Sequence, residues 1–165
     1  MLFLKIPRYM EDGNLRLRLL RMSDGPFILR GLNDGAILKA NGLSRPIASS
    51  WFFVWWWMKK TFIPAYCIEY DSQPIGFIGL YNLIPGNSAE VSLVIFDRNN
   101  RRRGYGTRAF QILAQTLRRC HLIEKITLKI QGDNRGSISF WTGLGFEDVH
   151  IPDGLRVMSM DLKEC

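Results

Sequence analysis

The chain has 165 residues, the length of one domain that can bury its own core. With 47% apolar and 22% charged residues it has an ordinary globular composition, and no linker, repeat or low-complexity tract interrupts it, so we expect a single soluble domain over residues 1–165. The formal net charge of +7 predicts an anionic partner, and charge alone leaves nucleic acid, a membrane surface and a phosphorylated cofactor open.

Three cysteines are scattered along the chain at positions 67, 120 and 165, and no pair of them has metal-ligand spacing. We therefore expect no metal site and no disulfide framework, which fits a reducing compartment and predicts a cytoplasmic protein. The apolar run from Trp51 to Met58 has eight residues, against the roughly twenty that cross a bilayer. We therefore expect no membrane-spanning segment.

The first half of the chain predicts one strand and two helices. Segment 14–20 alternates between apolar and polar residues, as a strand does. Asp24 or its neighbour Ser23 can cap a helix that continues to residue 32. Residues 33–46 show no regular pattern, and the second helix is predicted over 51–60.

The second helix has an unusual composition. Ser49 and Ser50 are candidate N-caps. One stripe with helical spacing contains Trp51, Val54, Trp55 and Met58. Four further aromatic residues leave the helix aromatic almost all round: Phe52, Phe53, Trp56 and Trp57. A helix that packs one face against the core needs fewer aromatic residues than this. The additional aromatic residues predict a pocket wall, a subunit contact within a homodimer, or an interfacial contact.

The second half of the chain predicts a meander followed by alternating helices and strands. The elements are strands 65–70, 75–83 and 89–96, helix 105–120, strand 125–130, a short helix within 134–145, and a final antiparallel pair at 147–151 and 156–162. This order indicates a mainly antiparallel sheet with interspersed helices, which is an α+β or mixed α/β fold.

The segment DRNNRRRGYGTRA, residues 97–109, joins the end of a predicted strand to the start of a predicted helix. Backbone N–H groups in the first turn of a helix have no internal partner, and the helix dipole makes this end positive. Gly104 and Gly106 allow close approach to the backbone, so the loop predicts an anion site suited to pyrophosphate. The pattern lacks the lysine of a P-loop and the third glycine of a dinucleotide-binding fingerprint.

Two motifs in order resemble those of the GNAT superfamily of acetyl-CoA-dependent N-acetyltransferases. The first is R-x-x-G-x-G at Arg101, Gly104 and Gly106, and the second runs from Asn134 through Ser137 to Gly145-Phe146. The opening LRLRLLRMSD is similar to the ribosomal-protein-alanine acetyltransferase (RimJ/RimL) branch. The resemblance implies a mixed, mostly antiparallel central sheet flanked by helices and splayed between the fourth and fifth strands.

The resemblance also implies how acetyl-CoA is held. The pantetheine arm would hydrogen-bond the backbone of Val94, Ile95 and Phe96, and Asn134. The pyrophosphate would lie on the amides of the loop and first helical turn, which are those of Arg101, Arg102, Arg103, Gly104, Tyr105, Gly106 and Thr107. From the residues alone, Val94 to Phe96 can equally be a buried strand and Asn134 a helix N-cap.

In such enzymes the amine attacks the thioester, and a base removes its proton. Glu90 is the candidate base, acting through water, and the alternative for it is a surface ion pair. Trp141 stands where many relatives have a tyrosine that reprotonates the thiolate, and an indole N–H cannot act as an acid at neutral pH. Trp141 could shape the channel or donate to sulfur, and water or Ser137 could supply the proton.

The resemblance places the acceptor beside the tryptophan-rich helix, with Trp55, Tyr81 and Asn82 as candidate contacts and His150 as a further polar group. A protein N-terminal amine, an aminosugar and a small amine remain open as acceptors, with a slight preference for the first. Two other classes remain: an acyl-CoA-binding sensor without turnover and a basic RNA- or ribosome-binding module. The aromatic residues at 51–57 and the arginines at 98–108 are separated in sequence, which disfavours nucleic acid, and we expect no DNA partner.

Overall fold

The structure, a computed structural model, describes residues 6–150 and 154–162. In this part of the chain eight strands form one sheet in the order β1-β2-β3-β4-β5-β6-β8-β7. The strands are β1 Tyr9–Asp12, β2 Leu15–Leu19, β3 Ala65–Tyr70, β4 Gln73–Ile84, β5 Ser88–Ile95, β6 Lys125–Gln131, β7 Glu147–His150 and β8 Leu155–Asp161. The helices are α1 Gly25–Leu32, α2 Gly35–Ala40, α3 Ser49–Phe62, α4 Tyr105–Cys120 and α5 Arg135–Gly143.

Every pair of neighbouring strands is antiparallel except β5 and β6, which are parallel. Helices cover both faces of the sheet, so the predicted mixed, mostly antiparallel α/β architecture is confirmed. None of the described helices is long and apolar enough to cross a membrane.

Two elements lie where the sequence pattern predicts none. β1 is a four-residue edge strand in which only Met10 is buried, so it has no alternation to detect. α2 has six residues, too few for a helical period. Its N-cap is the clearer signal, because the Asp34 side chain accepts hydrogen bonds from the amides of Ala36 and Ile37 at 3.1 and 3.3 Å.

The tryptophan-rich helix begins two residues earlier than predicted. Ser49 and Ser50 are helical residues of α3 and do not precede it, so their prediction as N-caps is wrong. Asp24 does occupy the N-cap position of α1, but its side chain makes no capping bond to that helix. Its carboxylate is used elsewhere, in an ion-pair cluster.

Side-chain alternation along the strands divides the core into two clusters, one on each face of the sheet. The first packs under α4 and α5 and includes Leu17, Ile68, Ile78, Val91, Leu113, Ile126 and Trp141. The second packs under α1, α2 and α3 and includes Ile28, Leu32, Ile37, Phe52, Trp56, Cys67, Phe77 and Phe96. The second cluster takes its strand residues from β3, β4 and β5 and contains none of the described residues of β6 or β8.

A partly buried ion-pair cluster ties β2 to β3 and to the turn before α1. Arg18 donates from Nε to Glu69 at 2.6 Å and from both terminal nitrogens to Asp24 at 2.7 and 2.9 Å, and all three side chains are at most 14% exposed. Burial alone would raise the pKa of Asp24, but hydrogen bonds from Arg18 and from the Arg21 amide outweigh it and lower that pKa. The hydrogen bond to Asp24, together with the one to Glu69, raises the pKa of Arg18 although burial opposes this.

We expect Arg18→Ala to lower the free energy of unfolding by about 3–5 kcal/mol, because it leaves two buried carboxylates without their cation. Urea denaturation measures this. Arg16→Ala is the matched control, since Arg16 lies on the same strand in an exposed pair with Glu11 at 3.7 Å, and it should cost at most about 1 kcal/mol. Equal losses in the two variants would contradict the role given to the cluster.

Candidate active site

A fork in the sheet forms a cleft. β5 and β6 pair over three positions only, Ser88 to Glu90 against Lys125 to Thr127, and then separate. On its other side β5 stays paired with β4 as far as Ile95. The space between the separating strands is a cleft of about 700 Å³. The splay that was expected between the fourth and fifth predicted strands therefore lies between β5 and β6.

The backbone of β5 offers hydrogen-bonding groups to this cleft at every second residue. The amide of Phe96 donates to Ile75 at 2.9 Å, and the carbonyl of Val94 lies against Gly76, so both point toward β4. Because antiparallel strands alternate, the N–H and C=O groups of Val91, Leu93 and Ile95 point the other way, toward β6. The parallel pairing of Glu90 with Thr127 uses the Val91 amide, so the Val91 carbonyl and the groups of Leu93 and Ile95 are the ones that face the fork.

This alternation corrects the expected strand contacts. Of Val94, Ile95 and Phe96, only Ile95 directs its backbone into the fork. The carbonyl of Ile95 accepts a hydrogen bond from Arg101 Nε at 2.9 Å. Val91 and Leu93, which the sequence motif did not point to, also line the cleft, and the two-residue period of strand hydrogen bonding is the rule that selects them.

The amino end of α4 opens onto the cleft. The first intrahelical bond runs from the Arg108 amide to the Gly104 carbonyl at 3.0 Å, so the amides of Tyr105, Gly106 and Thr107 lack a helical acceptor. No side chain caps this end, and its first turn contains no acidic residue. Gly104 and these three residues all line the cleft. This end of the helix therefore offers free donors and a positive dipole to an anion.

The two glycines of the loop have different reasons to be glycine. Gly104 has φ +80°, a left-handed conformation that most residues avoid, and an added Cβ would meet nothing within 4 Å. Gly106 is helical, and a Cβ there would lie 3.4 Å from Leu93 and Phe140. Gly104 thus serves the turn, and Gly106 serves close packing of the helix end against the cleft wall.

The arginines of the loop divide into distinct roles. Arg101 turns inward, donating to the carbonyls of Ile95 and Phe96 at 2.9 Å each, and ties the loop to the end of β5. Arg102 lines the cleft, whereas Arg103 is exposed and does not. Arg108 binds the β1–β2 corner through its contacts with the Asp12 carbonyl and carboxylate. Charge at the cleft mouth therefore comes from Arg102 and the helix end more than from the whole run.

α5 forms the wall behind β6. Asn134 is the N-cap of this helix, since its Oδ1 accepts from the Ser137 amide at 3.1 Å, and both residues line the cleft. Trp141 also lines the cleft, but its ring is 6% exposed and packs edge-on against Phe110 and Phe146, with centroids 5.4 and 5.0 Å apart. The indole is therefore part of the core as well as of the wall.

α2, the helix that the sequence pattern missed, covers the cleft from the opposite side. Ala36, Ile37 and Ala40 line it. The end of α2 reaches across to β6, because an added Cβ on Gly42 would lie 2.7 Å from the side-chain nitrogen of Gln131. The small side chains of the two alanines keep the space below the helix open.

Glu90 lies at the apex of the fork, at the last position where β5 pairs with β6. Its carboxylate accepts from Asn82 Nδ2 at 3.1 Å and pairs with Lys129 Nζ at 3.2 Å, with the Glu90 side chain 25% exposed. Tyr81 is its direct cross-strand neighbour. Burial and, to a smaller extent, the negative charge of Glu90 raise the pKa of Tyr81 to about 12. The structure therefore brings together Glu90, Tyr81 and Asn82.

Trp55 does not belong to this group of residues around Glu90. Its ring packs against Phe52 at a centroid distance of 5.8 Å, and none of the described α3 side chains lines the cleft. The side chain of His150 is outside the described part of the chain. Lys129 was missed, although alternation in KITLKI places it on the same face of β6 as Thr127.

Comparisons with known proteins agree with this geometry. The model of the acetyltransferase (GNAT) family matches residues 36–146. An uncharacterised N-acetyltransferase of Methanocaldococcus jannaschii is 27% identical over 113 residues, which are 63% of this chain and 47% of that relative. The matched segment thus spans about half the length of the curated relative.

Two solved structures share the fold. A putative acetyltransferase of Salmonella typhimurium with its cofactor acetyl-CoA aligns with a TM-score of 0.71 and 19% identity, over 92% of this chain and 96% of that one. Spermidine N-acetyltransferase of Vibrio cholerae, in complex with CoA and spermine, aligns with a TM-score of 0.76 and 17% identity, over 92% and 97%.

Proposed function

The chain belongs to the acetyltransferase (GNAT) family, and on this premise we propose that it transfers the acetyl group of acetyl-CoA to a primary amine. The observation that carries the proposal is the uncapped amino end of α4, which opens onto a fork lined by free strand amides. Both features suit one ligand, because coenzyme A joins a diphosphate to an extended amide-containing arm. Placement in the RimJ/RimL branch rests on the N-terminal motif alone.

In this proposal the diphosphate binds the amides of Tyr105, Gly106 and Thr107, with Arg102 and Arg103 adding positive charge beside it. The pantetheine arm lies in the fork and pairs with β5 through the Val91 carbonyl, the backbone of Leu93 and the Ile95 amide. These contacts replace the pairing that β6 no longer provides. Asn134 and Trp141 contact the arm from α5. α2 excludes water from above.

The chemistry takes place at the apex of the fork. The nitrogen of the acceptor forms a bond to the thioester carbon, the carbon–sulfur bond breaks, and the ammonium proton passes through water to Glu90. Asn82 and Lys129 hold the carboxylate in place. The Leu93 amide, the first on β5 beyond its pairing with β6, stabilises the oxyanion. The leaving thiolate takes a proton from water or from Ser137, because Trp141 cannot supply one.

A second candidate function is acyl-CoA binding without turnover, and Trp141 in the place of the usual tyrosine favours it. Consumption of acetyl-CoA with a panel of amines separates the two functions. The basic RNA-binding alternative has less support, because Arg101 and Arg108 are bound within the protein. Salt-sensitive binding of RNA without binding of coenzyme A would favour it.

Gly104→Asp and Gly104→Asn form a matched pair of nearly the same shape. Both residues tolerate the left-handed conformation better than most, so both variants should fold. We expect Asp to lower the affinity for coenzyme A at least tenfold more than Asn does, because its charge faces the diphosphate, and calorimetry measures this. Equal affinities of the two folded variants for coenzyme A would show that the diphosphate does not bind at this end of α4.

Glu90→Gln keeps the hydrogen-bonding shape but removes the base. We expect kcat to fall by about 10²-fold or more, most strongly at pH values where the acceptor is protonated, with the affinity for coenzyme A unchanged. Steady-state kinetics across pH check both. A wild-type rate and pH profile would exclude Glu90 as the base.

A further inference from the structure

Two opposite charges face the open side of the fork at the point of reaction. Glu90 on β5 and Lys129 on β6 are 3.2 Å apart, with side chains 25% and 54% exposed. Lys129 lines the cleft together with Ser92, which lies on the same face of β5 as Glu90. Because an accessible ion pair contributes about 0–1 kcal/mol, a ligand can rearrange it at little cost.

From this pair we infer that the acceptor is a free α-amino acid rather than a polyamine or a peptide amine. The inference rests on the proposed function and names the acceptor class for it. An α-amino acid carries its ammonium and carboxylate on one carbon. It can therefore pair with two opposite protein charges that lie next to each other, one with each of its own charged groups. Its ammonium meets Glu90, the base, and its carboxylate meets Lys129.

The same pair disfavours the other amine classes. A polyamine would bring a second cation to Lys129 and meet repulsion there. None of the described residues that line the cleft is acidic, so no further carboxylate there would bind that cation. A peptide N-terminus or a simple amine has no carboxylate at this position, so Lys129 would keep only Glu90 as its partner. Discrimination among acceptors therefore falls to one residue, Lys129.

The test compares kcat/KM for methionine and phenylalanine with that for their amides, for phenethylamine and for spermidine. We expect the free amino acids to exceed their amides by about tenfold or more, which is the effect of one charge-assisted contact. Lys129→Met should remove this preference, and Lys129→Glu should reverse it in favour of spermidine. Lys125→Met is the control, since Lys125 lies on the same face of β6 but pairs with Asp161 at 3.7 Å, and it should leave the preference intact.

The outcomes separate the two claims. Turnover with amides or spermidine at least as fast as with amino acids keeps the acetyltransferase and overturns the amino-acid inference. A preference that survives in Lys129→Met also overturns it. Failure of every amine, with coenzyme A still bound, contradicts the proposed function itself.

An independent observation concerns the outer face of α3. Five large apolar side chains there are exposed: Trp51 at 72%, Phe53 at 45%, Val54 at 55%, Trp57 at 56% and Met58 at 43%. Trp51, Val54 and Trp57 are spaced three residues apart, and Met58 and Phe53 each lie four residues from one of them, so the five form one broad stripe. Phe52 and Trp56 on the opposite face are almost fully buried. We call these five residues the α3 stripe, and we propose that it is the contact with a second copy of the chain.

The area of the α3 stripe supports this occupant. An aromatic side chain can bury about 150–250 Å², so the stripe offers on the order of 500 Å² of apolar surface. A stable interface buries about 800 Å² on each partner, with an apolar centre and a polar rim. A single straight helix can pair with its own copy about a two-fold axis, so the same residues would be covered on both protomers.

Sedimentation of the wild type and of Trp51→Glu/Trp57→Glu tests this contact. We expect a wild-type dimer and a folded monomeric variant, with Ile84→Glu as control because Ile84 is 54% exposed but lies outside the stripe. A monomeric wild type would overturn the proposal, as would a dimer unaffected by the charged pair. Binding of a monomeric wild type to vesicles containing phosphatidylserine would assign the stripe to a membrane surface instead.

Discussion

The structure depends on how β5 divides its hydrogen bonds. Along one edge it pairs with β4 as far as Ile95, and along the other it pairs with β6 only as far as Glu90. An unpaired strand edge inside a sheet is costly unless something else satisfies it. Arg101 satisfies the carbonyl of Ile95 from within the protein. The Val91 carbonyl and the N–H and C=O groups of Leu93 lie beyond the pairing with β6, where a ligand with amide groups of its own can satisfy them.

This fork also aligns the remaining parts of the site. The chain leaves β5, makes the arginine loop and enters α4, so the free helix amides lie at the wide end of the fork. Glu90 lies at the narrow end, where the strands still pair. A ligand that is anionic at one end and reactive at the other is thereby given a direction along the cleft. α2 lines the space from above, and the Lys129 side chain on β6 is 54% exposed beside Glu90.

Patterns carried by contiguous residues could be predicted from the sequence. The strand, glycine loop and helix from residue 89 to 120 follow from alternation, helical spacing and the backbone freedom of glycine. Short elements could not be predicted this way, because β1 and α2 are too brief to complete a period. The direction of the β5 backbone depends on a hydrogen bond between Phe96 and Ile75, and the pairing of Glu90 with Lys129 joins residues 39 positions apart. Such features arise only when the strands are placed side by side.

The central claim is that coenzyme A replaces β6 as the partner of β5, with its diphosphate at the amino end of α4. A crystal structure of the protein with acetyl-CoA tests this most directly. We expect the diphosphate oxygens within hydrogen-bonding distance of the amides of Tyr105, Gly106 and Thr107, and the pantetheine amides paired with Val91, Leu93 or Ile95. A diphosphate bound away from α4, or an arm lying outside the fork, would contradict the account.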